Sequence, residues 1–248
     1  MVADSCLVSK LSNFMSLGKA ETEALIELER ESRDFTAGST VFSCGDPADT
    51  LFVVGSGWLF SHTMLEDGRR QVVRFHHPGD IVGLEQVPYL ERTHSLECAT
   101  NATLCPFPKS GLSRIFNELP RLNALVWSVC MMDQAIFLDR LRVLGRMSAA
   151  ERVAHLFLEF RARLRLVGEV ASGEAFTVPL TQEVLGDAVG LTNVYVSRTL
   201  RLLSSLGLVE RRGHEVRLLD VERLTELSGF TNRLEHKLDL RWLPGAAR

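Results

Sequence analysis

The sequence predicts an α+β protein: an N-terminal antiparallel β domain that is a β-sandwich or a jelly-roll barrel (called the β-roll below), one long helix, and a small C-terminal module of helices and a hairpin. Short apolar runs separated by turn residues fill residues 35–108, and neither Pro nor Gly interrupts the chain between Pro120 and Gly145. Residues 180–200 have the spacing of two helices joined by a tight turn. The 248 residues, of which 46% are hydrophobic and 24% charged, are enough for one or two globular domains.

The roll is predicted from its strands. A short helical segment at about residues 11–31 precedes them. Runs such as Leu51–Val54 and Val72–Phe75 then stand between Gly, Pro, Asp and Ser residues, a pattern typical of short antiparallel strands. The Asp67–Gly68 pair lies between two such runs and predicts a tight hairpin, because both residues tolerate a positive φ.

The long helix should begin at Pro120, a residue suited to a first helical turn, and continue for about 25 residues, or roughly 37 Å. Along it, apolar residues recur at intervals of 3, 4, 3 and 4, the spacing of a coiled-coil seam. Packing of this stripe against the helix's own domain is the alternative. We predict a homodimer whose seam consists of Leu122, Leu125, Val129, Met132 and Ile136.

A further helix should follow at once. Ser148 and Glu151 have the spacing of a capping box, and apolar residues continue at helical intervals to about Leu166. A polar connection at residues 168–176 then leads into the C-terminal module.

The C-terminal module, residues 177–227, has the sequence pattern of a helix-turn-helix. Thr181 is suited to cap the first helix and Thr192 the second, while Gly190 permits the tight turn between them. Gly186 lets the second helix approach the first closely. These residues predict where both helices begin and how the turn closes.

The second helix of this module should present a polar and cationic face. Asn, Ser and Arg recur on the side opposite its apolar residues, and these side chains can read base edges in a major groove. No Asp or Glu occurs from Ala188 to Val209, and a hairpin with several arginines follows at residues 207–219. A helical hairpin used only for packing is the alternative. The residues predicted to contact DNA are Thr181, Gln182, Thr192, Asn193, Val194, Tyr195, Ser197, Arg198, Arg201 and Arg212.

Composition and motifs argue against several other classes of protein. The sequence contains no G-x-x-x-x-G-K-[ST], H-E-x-x-H or G-x-S-x-G motif, so we do not expect an enzyme. The five cysteines are scattered without a C-x-x-C pair, which predicts neither a disulfide framework nor a metal site. We find no membrane span or signal peptide and expect a cytoplasmic protein. The net charge of −3 gives no indication of a polyanionic partner.

The sequence resembles the Crp/Fnr family of bacterial transcription regulators from residue 11 to about residue 227. The last of the motifs that carry the resemblance is the most specific; the motifs are Phe42–Asp46, Asp67–Gln71, Phe75–Gly83, Arg152–Ala154 and Leu191–Arg198. The resemblance implies a cyclic-nucleotide-binding-like roll at 11–118, a dimerisation helix at 119–146 and a winged helix-turn-helix at 148–230. The tail at 231–248 has no assigned counterpart.

The function implied by the resemblance is sequence-specific regulation of transcription. The protein should bind double-stranded DNA as a homodimer on a pseudo-palindromic site, controlled by an effector or by its own abundance. RNA polymerase is an implied partner if promoters are activated. Many relatives carry Glu where Val194 stands, an acid that accepts from cytosine N4. The half-site should therefore differ from the usual family consensus at that base pair.

The predicted effector pocket departs from that of cyclic-AMP-responsive relatives. Those relatives use a Gly-Glu pair for the ribose and an Arg-Ser pair for the phosphate, where this sequence has Gly83-Leu84 and His94-Ser95. Leu84 cannot accept a hydrogen bond, and His94 is a weaker phosphate ligand than Arg. Phe137 takes a helix position that would be polar, whereas Glu85 could replace the missing acid. Cyclic AMP is disfavoured.

No other cofactor is predicted. An iron–sulfur cluster needs several cysteines, and Cys6 stands alone in the first forty residues. His76, His77, His94 and Cys44 supply atoms that ligate haem, without a diagnostic pattern. The alternative function is a haem- or nucleotide-binding sensor of the same fold, in which ligand sensing dominates.

Overall fold

The computed structural model describes residues 5–168, 170 and 175–235. They form two compact units. The first contains the described residues of 5–64 and 73–131, and the second contains those of 65–72 and 132–235. Antiparallel sheets, a long helix and a helix-turn-helix follow one another along the chain, so the predicted α+β class is confirmed.

The roll consists of two antiparallel four-stranded sheets. The strands are β1 (Arg33–Phe35), β2 (Thr40–Phe42), β3 (Thr50–Ser56), β4 (Leu59–Met64), β5 (Arg70–His76), β6 (Ile81–Val82), β7 (Ser95–Cys98) and β8 (Ala102–Pro108). One sheet has the order β1-β8-β3-β6 and the other β2-β7-β4-β5. An apolar core lies between them, with Leu59, Val82, Leu96 and Leu104 fully buried. The prediction of many short antiparallel strands is confirmed.

Three short helices cover one side of the first unit: α1 (Cys6–Ser12), α2 (Lys19–Leu28) and α3 (Leu112–Glu118). The single helical segment predicted at 11–31 is wrong in its extent, because the chain forms two helices there and α1 begins earlier. Ser5 caps α1 by accepting from the N–H of Val8 at 3.0 Å. Leu7 and Leu11 are buried in the core with α2 and α3.

The predicted hairpin at Asp67–Gly68 is confirmed. Gly68 has φ +82°, and its N–H donates to the Leu65 carbonyl at 2.9 Å. The N–H of Leu65 donates to the carbonyl of Arg69 at 2.8 Å. The positive φ explains the glycine at this position.

The long helix α4 (Pro120–Arg146) has 27 residues and contributes to both units. The next helix, α5 (Ala149–Leu166), is capped as predicted: the N–H of Ser148 donates to Glu151 Oε2 at 2.6 Å. Both helix predictions are confirmed. They could be made from the sequence because the residues that define the helix ends lie at those ends.

The second unit is completed by a sheet and three helices around α5. Its elements are β9 (Phe176–Thr177), α6 (Gln182–Val189), α7 (Asn193–Ser205), β10 (Val209–Arg212), β11 (Glu215–Leu218) and α8 (Val221–Ser228). The sheet order is β10-β11-β9, so a third strand joins the predicted two-stranded wing. Helix α5 packs against α7 and α8.

A buried ion-pair cluster joins α4 to α5 within the second unit. Glu159 Oε2 accepts from Arg140 Nε at 2.9 Å, and its Oε1 accepts from Arg163 Nε at 3.1 Å. Arg163 also lies 3.5 Å from Asp133. Although burial acts to raise it, the two guanidinium groups lower the pKa of Glu159 to about 2.

The segment after α8 also contacts α4 and α5. Arg233 pairs with Asp139 at 2.9 and 3.2 Å, and the ring of Phe230 meets that of His155 edge-on at 5.1 Å. The rest of the predicted tail, residues 236–248, lies outside the described residues.

Among the described residues, we find no helix with the length and hydrophobicity that a membrane span requires.

Candidate nucleic-acid interface

Helix α7 begins where the sequence predicts. Thr192 is its N-cap, and the threonine Oγ1 accepts from the N–H of Tyr195 at 3.4 Å. Gly190 has φ +67°, the left-handed conformation that closes the turn from α6. Leu191 then donates its N–H to the carbonyl of Gly186 at 3.0 Å. Local hydrogen bonds therefore fix the direction in which α7 leaves α6.

Gly186 sets the distance between α6 and α7. A Cβ atom at this position would lie 2.3 Å from the carbonyl oxygen of Leu191 and 3.4 Å from Cγ2 of Val196. The first distance is far below van der Waals contact, so a larger residue would force the turn away from α6. The prediction that Gly186 permits a close approach is confirmed.

Helix α7 has one buried and one exposed side. Val196 and Leu203 are fully buried and Thr199 is 5% exposed, whereas Leu200 is half-buried. The exposed residues among those predicted to bind DNA are Thr181, Gln182, Thr192, Asn193, Val194, Tyr195, Arg198, Arg201 and Arg212, and Ser197 is half-buried. The first two of these lie at the N-terminus of α6 and Arg212 lies on β10.

Two arginines on α7 are held differently. The guanidinium carbon of Arg198 lies 5.9 Å from the ring centroid of Tyr195, one turn earlier. Arg201 donates from Nε to the carbonyl of Ser197 at 3.4 Å. Within the described part of the chain, no carboxylate forms an ion pair with either arginine. Both charges are therefore available to an anionic partner.

The wing contains two adjacent arginines with different roles. Arg211 donates from Nη2 to the carbonyl of Leu180 at 2.9 Å and from Nε to that of Gly213 at 3.0 Å, which ties the hairpin to the start of α6. Arg212 is exposed and lies 2.6 Å from Glu210. An exposed ion pair of this kind contributes little to stability and can exchange for a phosphate contact.

In the predicted effector pocket, an arginine occupies the space beside Gly83. Gly83 has φ +95° and precedes a single 3₁₀ turn at Leu84–Gln86. A Cβ atom on Gly83 would lie 3.0 Å from Nη1 of Arg92. The Arg92 side chain stacks on Phe42 at 4.0 Å and donates to the carbonyl of Thr50. Sequence reasoning missed this buried arginine, since no pattern separates it from an exposed loop residue.

The structure brings Glu85 and His94 together. Nε2 of His94 lies 3.2 Å from Oε1 of Glu85 and 2.6 Å from the amide nitrogen of Gln86. Burial acts to raise the pKa of Glu85, but the hydrogen bond with His94 and the charge of Arg74 lower it to about 2. A negative carboxylate therefore lies beside His94, one of the residues predicted to line the effector pocket.

The other predicted pocket residues have separate surroundings. Leu84 packs against the apolar core of the first unit. Ser95 Oγ accepts from the N–H of Cys44 at 3.0 Å and is therefore already engaged. Phe137 is 49% exposed on α4 and belongs to the second unit.

The five residues predicted as the dimer seam do not lie on the exposed face of α4. Leu122 and Leu125 are fully buried in the core of the first unit, and Val129 packs against that core. Met132 and Ile136 are each 7% exposed. A face that the single chain already buries leaves no surface for a second copy. The burial of these residues favours the alternative, packing within the chain, and their role as a dimer seam stays a prediction.

A different stripe of α4 is open. Its residues Trp127, Met131, Gln134, Leu138 and Leu141 follow one another at intervals of 4, 3, 4 and 3. All five are exposed, and the four apolar ones are between 45% and 63% exposed. We call these five residues the open stripe. Its spacing is that of a coiled-coil seam.

Family models match both units. The model of the cyclic nucleotide-binding domain matches residues 32–118, and that of the Crp-like helix-turn-helix domain matches residues 151–227. The nitrogen fixation regulation protein FixK of Bradyrhizobium diazoefficiens is 30% identical over 225 residues, covering 90% of this chain and 92% of that protein. The transcriptional activator protein anr of Pseudomonas aeruginosa is 26% identical over 224 residues, which cover 90% of this chain and 91% of that protein.

The solved structures agree with the family models. The structure of FixK2 from Bradyrhizobium japonicum superposes with a TM-score of 0.72 at 27% identity, covering 81% of this chain and 98% of that chain. The regulator CLP from Xanthomonas campestris, at 22% identity and a TM-score of 0.65, shares the fold.

A cyclic-nucleotide-binding type of roll joined to a helix-turn-helix with an exposed cationic face defines a DNA-binding transcription regulator, which is not an enzyme. The 30% identity to FixK extends over 90% of this chain, so the similarity includes both the roll and the helix-turn-helix. The chain belongs to the Crp/Fnr family of transcription regulators.

Proposed function

We propose that the exposed side of α7 reads base edges in the major groove and that residues on α6 and the wing hold the DNA backbone. One observation supports this above the others. Helix α7 buries its apolar side, and its opposite side carries Asn193, Arg198 and Arg201 in a segment without acids from Ala188 to Val209. This is the arrangement of a recognition helix in a helix-turn-helix protein.

The residue types assign the contacts. Arg198 has the donor geometry to bind O6 and N7 of guanine, and Asn193 can pair with adenine in the same bidentate way. Val194 offers only methyl groups, which suit the methyl group of thymine. Hydroxyl, amide and guanidinium groups at the edges of this surface are suited to phosphates; these are Thr181, Gln182, Thr192, Ser197, Arg201 and Arg212.

Selection from a pool of duplexes with randomised base pairs tests the role of Arg198. The full-length protein should enrich a site with a guanine in each half. The Arg198→Ala variant should lose about 1–3 kcal/mol of binding free energy and should relax specificity at that one base pair. Arg30→Ala, an exposed arginine of the first unit, is the matched control and should leave the profile unchanged. An unchanged profile for Arg198→Ala would refute the assignment.

The salt dependence of binding tests the phosphate contacts. The logarithm of the binding constant should fall linearly with the logarithm of salt concentration, with a slope of about −0.9 for each phosphate contacted. Arg212→Ala should make the slope shallower by about one such contact. The selected base sequence should stay the same for this variant.

The protein should bind as a homodimer, and the open stripe of α4 supports this part of the proposal. A parallel copy of the helix would cover Trp127, Met131, Leu138 and Leu141 with their own counterparts. Two recognition helices would then enter successive major grooves about 34 Å apart on a pseudo-palindromic site.

We do not expect cyclic AMP to be the effector. The Glu85 carboxylate next to His94 would repel a cyclic phosphate, and the Arg92 side chain takes up space beside Gly83. The residues present therefore do not fit that nucleotide. Calorimetric titration with cyclic AMP should show no binding heat, and DNA affinity should be the same with and without it. Control by abundance, or by another effector, is consistent with these residues.

The absorption spectrum and native mass spectrum of the purified protein test the remaining cofactors together. We expect neither a haem band nor an iron–sulfur absorption, because Cys6 is the only cysteine in the first forty residues and the histidines show no ligand pattern. A haem band or a retained nucleotide mass would instead favour a ligand sensor of the same fold.

We place the protein in the cytoplasm, where it would find promoter DNA. Relatives named as transcriptional activators support RNA polymerase as a further partner. Transcription from a promoter that carries the selected site should therefore rise when the protein is added to purified polymerase. A fall would indicate a repressor.

A further inference from the structure

We propose that Tyr195 is a positioning residue for Arg198. Its ring holds the guanidinium group over the first turn of α7, in the orientation in which that group meets a guanine. This inference rests on the proposed base-reading role of Arg198 and adds a second residue that determines how sharply the base is read.

The position of the two residues on the helix brings them together. Tyr195 and Arg198 are three residues apart, so they share one face of α7. Long side chains on a helix lean toward its N-terminus, and the arginine therefore extends back over the tyrosine. The guanidinium carbon is 5.9 Å from the ring centroid, within the range of a cation–π contact. Both side chains are on the exposed side of α7.

Arg198 needs such a contact more than its neighbour does. Arg201 donates a hydrogen bond to the carbonyl of Ser197, whereas the Arg198 guanidinium group has neither a hydrogen bond nor an ion pair with any described residue. A free arginine must give up much rotamer entropy when it binds a base. The N-terminus of a helix also carries partial positive charge, which repels a guanidinium group that leans toward it.

The tyrosine ring counters both costs. The negative face of its π system attracts the cation, and a planar ring restricts the orientations of a planar guanidinium group. The backbone of Tyr195 is anchored at the start of α7, since its N–H donates to the capping oxygen of Thr192. The cap, the ring and the base-reading arginine therefore form one connected unit in the first turns of α7.

The aromatic ring, and not the hydroxyl group, should carry this role. Tyr195→Phe keeps the ring and removes the hydroxyl, whereas Tyr195→Ala removes both. Because Tyr195 is 56% exposed, neither change should alter the thermal unfolding midpoint by more than a degree or two. Tyr195→Phe is therefore a matched control for Tyr195→Ala.

Fluorescence anisotropy measures the affinity of the full-length protein for the selected duplex. The same measurement is made with duplexes in which the guanine read by Arg198 is replaced. Arg198→Ala first identifies that base pair. Tyr195→Ala should weaken binding to the selected duplex by about two- to fivefold and should reduce discrimination at the same base pair. Tyr195→Phe, which keeps the ring, should lose much less affinity and discrimination than Tyr195→Ala.

A double-variant cycle completes the test. In the Arg198→Ala background, adding Tyr195→Ala should have no further effect, because the ring then has no arginine to hold. An equal loss in both backgrounds would overturn the proposal and indicate a direct contact of Tyr195 with DNA. A loss in Tyr195→Phe as large as in Tyr195→Ala would also overturn it. If Arg198→Ala left every base pair unaffected, the proposed base-reading role itself would fail.

Discussion

At the scale of single residues, Val194 is the side chain that should set this protein apart from many of its relatives at one base pair. It is 58% exposed at the second position of α7 and presents only methyl groups. We expect a preference for thymine at the base pair it faces, and Val194→Glu should shift that preference to cytosine, because a carboxylate accepts from cytosine N4. Site selection with both proteins measures the change. Recovery of the same base by both would contradict it.

Glu159 should contribute stability that depends on pH. Its carboxylate is buried between two guanidinium groups, and its folded-state pKa of about 2 lies below the ordinary value of 4.5. The contribution is therefore complete above about pH 4.5 and is lost as the pH falls toward 2. Glu159→Gln should cost about 3–5 kcal/mol at neutral pH, since the buried guanidinium groups of Arg140 and Arg163 both lose the carboxylate that they contact. Its unfolding midpoint should also change less than that of the unaltered protein between pH 4.5 and 2.

The control substitution for Glu159→Gln removes a solvent-exposed carboxylate of the same unit. Glu226 is exposed on α8, so Glu226→Gln should leave the midpoint and its pH dependence unchanged. Equal effects of the two substitutions would show that the buried cluster contributes nothing specific.

The positions of the residues predicted to contact DNA on α6 and α7 were predictable, because the ends of these two helices are determined by nearby residues. Helix α6 begins at the cap Thr181 and ends at Gly190, and α7 begins at the cap Thr192. Each of these signals lies next to the helix end that it determines. Arg92 was not predictable in this way. Its contact with Thr50 crosses 42 residues of chain and exists only after the sheets have formed.

At the scale of elements, the crossing of α6 and α7 depends on Gly186. Gly186→Ala would place a Cβ atom 2.3 Å from the carbonyl oxygen of Leu191, so the turn must move. We expect a loss of about 1–3 kcal/mol in stability from this overpacking. Operator affinity should fall as well, because α7 would leave its position relative to α6. Thermal unfolding and anisotropy measure the two effects.

Gly145 provides the matched substitution for Gly186. It is also helical and not in a positive-φ conformation, and a Cβ atom there would meet nothing within 4 Å. Gly145→Ala should therefore raise stability by about 0.5–1 kcal/mol through the better helix propensity of alanine. If both substitutions had the same sign, the close approach at Gly186 would not be the cause.

The extent of α4 was predictable, but the use of its faces was not. Two stripes with coiled-coil spacing run along this helix: one begins at Leu122 and the other at Trp127. The first contains only aliphatic residues and one Met, and it is mostly buried within the chain. The second includes Gln134 and is exposed. Spacing alone does not distinguish them. Strand β9 was missed for a different reason, since its two residues are too few to show a period.

At the scale of the whole molecule, the net charge of −3 is an average that hides the arrangement of charges. The segment from Ala188 to Val209 has arginines and no acids, and the acidic residues lie elsewhere in the chain. Because the whole chain is slightly negative, we expect long-range attraction to DNA to be weak. We therefore expect tight binding to come from two recognition helices that contact one site at the same time.

Because we propose that two recognition helices bind one site together, the open stripe should be decisive for DNA affinity. Leu138→Glu puts a charge opposite its own counterpart in a parallel helix pair, so this variant should sediment as a monomer. Because the second half-site then no longer adds its effective concentration, affinity for the full operator should fall by roughly 100-fold or more, while affinity for an isolated half-site should stay the same. Leu90→Glu is the control: Leu90 is 87% exposed in the first unit and is not part of the open stripe, so this variant should remain a dimer. A Leu138→Glu protein that still sediments as a dimer would show that the two copies meet through another surface.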